Sequence, residues 1–82
     1  MNPIYTKLAQ LAYDTVLQTM IEGEKTHPDN PIDGWKDANI PTHGLHIVDH
    51  IYKHSKGDKT EDHIAHMLTR CAMIKYLEGE GK

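Results

Sequence analysis

The sequence predicts an all-α fold, a small three-helix domain completed by oligomerisation. Three observations carry that reading. Apolar residues recur at helical spacing in three separate stretches, no stretch alternates with the two-residue period of a strand, and 82 residues supply only a marginal core to a lone domain. A single domain spanning 1–82 follows.

The first helix is expected over about 3–22. Asn2 suits the N-cap and Pro3 the first helical position. Ile4, Leu8, Leu11, Ala12, Val16, Leu17, Met20 and Ile21 then repeat at helical spacing up to Gly23. Tyr5, Ala9 and Tyr13 widen the apolar arc beyond what one partner helix covers, which points to a subunit interface. Residues 23–42, GEKTHPDNPIDGWKDANIPT, read as an irregular loop rich in turn formers, with Pro28, Pro31 and Pro41. Trp35 in its middle either anchors the loop by burial or offers a stacking surface to a ligand.

The second helix is expected over 43–55, with Leu45, Ile47, Val48, Ile51 and Tyr52 on its buried arc. His43, His46, His50 and His54 form a stripe along the border of that arc. The third helix is expected over 60–78. Thr60 is its N-cap, Glu61 and Asp62 oppose the dipole in its first turn, and Ile64, Met67, Leu68, Cys71, Ala72 and Ile74 form its buried face. His63, His66 and Arg70 border that face. The short KGDKT connection predicts antiparallel packing of these two helices, so that the two polar stripes face each other across a groove. Residues 79–82 read as a frayed tail.

Composition excludes several classes of function. The nine Lys and Arg residues are dispersed among twelve acids, with a net charge of −3, so no duplex nucleic acid is expected as a partner. No apolar run is long enough to span a membrane, and residues 1–20 lack the pattern of a signal peptide. The single cysteine, Cys71, forms no intramolecular disulfide and reads as a small buried hydrophobe, and the expected location is the cytoplasm. Nucleophilic catalysis has little support, because Ser55 is the only serine and no GxSxG or phosphate-cradling loop occurs.

The chemistry therefore rests on the histidines, four of which fall within residues 42–54 in a chain of seven. His46 with His50, and His50 with His54, stand at i and i+4, the spacing by which one helix offers two imidazoles to one ion. His63 and His66 stand at i and i+3. A divalent ion, Zn, Mn or Mg, would draw on His46, His50, Asp62, His63 and His66. An anion would instead meet Lys53 and Arg70 with His46, His50, His54, His63 and His66, and Trp35 available to a base. The third alternative is a hydrogen-bonded seam of imidazoles with no ligand at all.

The segments GEKTHPDNPIDGW, IPTHGLHIVDHIYKHSKGD and EDHIAHMLTR resemble a family of small all-helical phage and prophage proteins often labelled dATP/dGTP diphosphohydrolase or its N-terminal domain. The matching positions are Gly23, Lys25, Trp35, Ile40, Pro41, His50, Gly57, Asp58, Asp62, His63 and His66, and the likeness covers about residues 22–77. It implies a nucleotide-related role on a helical scaffold, in the cytoplasm of a phage's host. The chain lacks the paired Glu-x-x-Glu and Glu-x-x-Asp motifs of all-helical nucleoside triphosphate pyrophosphohydrolases. It also has Asp49 where the resembled family commonly has Arg. Three functions stay open at this point. One is a homo-oligomeric binder of a nucleotide or other phosphorylated small molecule, sequestering a signal of host defence. The second is a metal-dependent hydrolase with Glu61 or Asp49 as general base. The third is a protein-interaction module.

Overall fold

The computed structural model describes residues 1–27 and 34–82, so the expectations that concern Pro28 to Asp33 fall outside the described residues. The fold is all-helical, as the sequence predicts: α1 (Pro3–Thr26), a 3-10 turn (Gly34–Asp37), α2 (Ile40–Ser55) and α3 (His63–Gly79). No strand occurs among the described residues.

Each helix starts or stops where local backbone chemistry dictates, in places a few residues from the periodicity-based bounds. Asn2 caps α1 by accepting a 3.0 Å bond from the Ile4 amide. The helix then runs through Gly23 to Thr26, and the His27 amide still donates to the Gly23 carbonyl at 3.0 Å. Glycine costs a helix interior only about 1 kcal/mol relative to alanine, whereas a residue preceding proline is driven out of the helical region. His27, followed in sequence by Pro28, has φ −125° and ψ 66°.

α2 starts three residues earlier than the expected His43, because Asn39 is the cap and Pro41 sits in the first turn, where a missing amide proton costs nothing. The Asn39 carboxamide oxygen accepts from the Thr42 amide at 2.9 Å and from its hydroxyl at 2.7 Å. The end of α2 is closed by Gly57, whose φ of 83° lets its amide reach the His54 carbonyl and lets the Asp58 amide reach that of Lys53.

At α3 the expected cap, Thr60, is displaced by Asp62. The Asp62 carboxylate accepts from the Ala65 amide at 3.0 Å, and the helix begins at His63. Thr60 belongs instead to a turn in which its amide donates to Asp58 at 3.0 Å. Glu61 is thereby left outside the helix.

α3 is the central element. It packs against α2, α1 and the Gly34–Asp37 turn, while α1 and α2 do not touch each other. The most buried side chains are Ala65 and Leu77 together with the polar His43, His63 and Thr69. Two expectations are corrected here. The apolar arc of α2 is not its packing face: Leu45, Val48, Ile51 and Tyr52 are exposed, and the histidine side of the helix turns toward α3. Cys71 is likewise exposed rather than buried. The first correction has a physical cause. Among the described residues α2 meets α3 and, through His43, the Trp35 turn on the same side, so it covers a single face, and the hydrogen-bonding requirements of its histidines claim that face.

Candidate metal centre

Two polar clusters join α2 to α3, and they differ in how their nitrogens are spent. In the first, His43 is fully buried, Arg70 approaches its Nδ1 at 2.9 Å, and its Nε2 lies 3.0 Å from the Trp35 carbonyl oxygen. A guanidinium can only donate and a carbonyl can only accept, so the imidazole proton sits on Nε2 and Nδ1 accepts from Arg70. Both ring nitrogens are thus committed within the protein. Trp35 packs edge-on against His43 and Tyr76, with ring centroids 6.5 and 5.4 Å away. Trp35 is thus tied to α2 and α3, while its Nε1 is buried with no hydrogen-bond partner among the described residues.

In the second cluster three groups aim at one point. His50 Nδ1 and His63 Nδ1 are 2.8 Å apart, and Glu61 Oε1 lies 3.3 Å from the former and 3.6 Å from the latter. His63 is buried, His50 nearly so, and Glu61 is half exposed, so the three atoms form a recess with one open side. Ligand atoms bound tetrahedrally to zinc at its usual bond lengths stand roughly 3.3 Å from one another, which matches the edges of this triangle. Without an ion, His50 donates from Nδ1 to His63. With one, that proton must leave.

The surrounding groups orient the cluster. His63 Nε2 donates to Asp58 at 2.9 Å, which directs the Nδ1 lone pair of His63 at His50 and Glu61. A carboxylate behind a ligating imidazole is the usual support for a metal-bound histidine. Asp58 is held down to about 2 by the bonds it accepts from the Thr60 backbone and side chain and from His63, so it stays anionic. The His50 imidazole is pushed below its ordinary value, first by burial and then by the neighbouring His66, which keeps it neutral as ligation requires. His66 itself lies flat on His50, with centroids 5.1 Å apart and planes 7° from parallel.

Two cavities open beside this cluster, and His66 lines both. One, of about 700 Å³, is walled by Glu61, Asp62, Gln18 and His27. The other, of about 570 Å³, is walled by Arg70, Trp35, Glu24 and Met73. Arg70 is half buried, and burial pushes its guanidinium down from its ordinary value.

Of the residues singled out from sequence, the structure brings His50 and His63 together and places His66 against them. Asp62 is spent on the α3 cap, and His46 and His54 are exposed on α2. Lys53 and Asp49 pair with each other at 3.0 Å on the solvent side, where mutual attraction lowers the carboxyl and raises the amine. Glu61, considered from sequence both as a base and as an oxygen ligand beside Asp62, is the carboxylate that meets the two imidazoles. Asp58 was seen only as part of the family likeness, and no periodicity signals it, because a loop carboxylate finds its imidazole through the Gly57 turn.

No family model matches the chain, no curated protein matches it, and no solved structure matches its fold.

Proposed function

We propose that the protein binds a phosphorylated small molecule, of which a nucleotide fits best, through a divalent ion held by His50, Glu61 and His63. The observation that supports this reading most is the convergence of those three ligand atoms at 2.8–3.6 Å with an open side. Three protein ligands leave room on an ion for phosphate oxygens. His66 connects the ion position to the cavity that holds Arg70, a fixed cation, and Trp35, whose buried indole N–H lacks a partner among the described residues.

Binding is favoured over hydrolysis because the nearby carboxylates are already employed. Glu61 ligates, Asp58 supports His63, Asp62 caps α3 and Asp49 pairs with Lys53. In this reading the molecule retains its nucleotide intact, as a protein that sequesters a nucleotide signal would. One observation favours a hydrolytic alternative: the His66 imidazole stacks on His50 beside the cluster, and among the described residues no side chain bonds to it. It is placed to take a proton from a metal-bound water.

The deciding experiment incubates the protein with deoxynucleoside triphosphates, cyclic nucleotides and ADP-ribose-type compounds in Zn, Mn or Mg, and measures the free pool before and after heat denaturation. The binding reading predicts a species that disappears and returns unchanged on heating. A product in its place establishes hydrolysis, and an unchanged pool under all three metals refutes both.

A further inference from the structure

We infer that this chain functions as a homodimer in which a second copy covers the outward stripes of α1 and α2. The first ground is shape. A folded monomer of 9.3 kDa exposes roughly 5,000 Å², whereas this chain exposes 6296 Å². Its radius of gyration is 13.7 Å, against about 11.7 Å for a compact domain of the same length. The excess surface is on the order of 1,000 Å² per chain, and two such excesses match the roughly 2,000 Å² at which permanent homodimer interfaces begin.

The second ground is where the excess lies. The first eleven residues are all exposed, so roughly the first 14 Å of α1 forms an arm that the rest of the chain covers only in part, with Ala9 beside α3. That arm carries Ile4, Leu8 and Leu11, spaced i, i+4 and i+7. On α2 the outward residues Leu45, Val48 and Tyr52 are spaced i, i+3 and i+7, and Leu45 is 71% exposed. Both are the alternating three- and four-residue spacings with which one helix seats on another. A short helix arm so lightly covered gains little tertiary stabilisation, which is where most helical stability in proteins arises. The occupant is a second copy because each chain displays both stripes, and the deficit in one is matched by the surplus in the other. The small net charge of −3 opposes self-association only weakly. The pairing does not depend on metal or nucleotide binding.

Light scattering on the full chain is the test, with Leu8→Glu/Leu11→Glu and Leu45→Glu/Tyr52→Glu as variants and circular dichroism on each. Wild type is expected at twice the 9.3 kDa chain mass, with a Tm that rises with protein concentration, and both variants at the mass of one chain. Wild type at one chain mass with a concentration-independent Tm overturns the dimer. A variant that keeps the wild-type mass removes its stripe from the interface. Because the arm also lies beside α3 at Ala9, the arm variant counts for the interface only with its helicity retained, and the α2 variant reads the same contact from the other side.

Discussion

His43 and His63 are both buried histidines between α2 and α3, yet one closes a network with an arginine and a carbonyl and the other meets a second imidazole and a carboxylate. Around His43 the donors and acceptors alternate, with Arg70 giving to Nδ1 and Nε2 giving to the Trp35 carbonyl, so neither ring nitrogen is left to bind. Around His63 both nitrogens are also bonded, Nε2 to Asp58 and Nδ1 to His50, but here Nδ1 lies beside a second imidazole nitrogen and a carboxylate oxygen, a set that an ion could gather in place of the shared proton. The difference shows that burial and histidine content do not distinguish a polar seam from a site. The count of lone pairs that converge does.

That contrast is broken most directly by removing one ligand from the second cluster. His50→Ala or His63→Ala is expected to eliminate stoichiometric metal binding, read by dialysis against Zn followed by elemental analysis. The loss should exceed the roughly 10–100-fold that removal of an outer support costs a metal site. The matching change in the first cluster, His43→Ala, should leave metal uptake in place but cost about 2–4 kcal/mol of stability in chemical denaturation, since it strands a half-buried guanidinium and a buried carbonyl. If His43→Ala abolished metal uptake while the chain remained folded, the two clusters would not be separable.

Asp58→Asn sharpens the comparison from the outer side. It keeps the shape but removes the charge behind His63, and metal affinity should weaken by roughly 10–100-fold. The same variant has a signature without metal. Because the folded Asp58 carboxyl sits at about 2, below its ordinary 3.8, its contribution to stability is fully present above about pH 4–5 and is lost as pH falls toward 2. A Tm-against-pH profile should therefore show a shallower acid limb in Asp58→Asn than in wild type.

The smallest expected effect is the response of the apo protein near neutrality. His50 in the folded state lies below the ordinary imidazole value of 6.5, so the unfolded chain binds more protons there and stability falls as pH drops through that value. Metal affinity should fall over the same range, since protonated imidazole cannot ligate. His50→Ala should remove its share of that slope from the metal-free Tm profile, and an unchanged slope would contradict the neutral, buried role given to His50.

The fold class and the antiparallel meeting of the two histidine stripes were legible in the sequence because the helical period and the short KGDKT turn report local geometry. The identity of the packing face was not. Periodicity assigned Leu45, Val48, Ile51 and Tyr52 to the interior of α2, but which face meets a neighbour depends on how many neighbours exist, and among the described residues the only helix that α2 meets is α3. The ligand set was half legible for a related reason. His50 and His63 lie on predictable helix faces, whereas Glu61 reaches the cluster only because Asp62, not Thr60, takes the cap and leaves the preceding residues in a turn. Competition between adjacent capping residues is settled by a single hydrogen bond, and composition carries no record of the outcome.

The central claim is that His50, Glu61 and His63, rather than the full stripe of histidines, hold a divalent ion. Calorimetric titration of Zn into wild type, His63→Ala and His46→Ala tests it most directly, since His46 lies on the same helix but outside the cluster. The account predicts one ion per chain in wild type and in His46→Ala, and none in His63→Ala. No uptake by wild type, or equal uptake by His63→Ala, would contradict it.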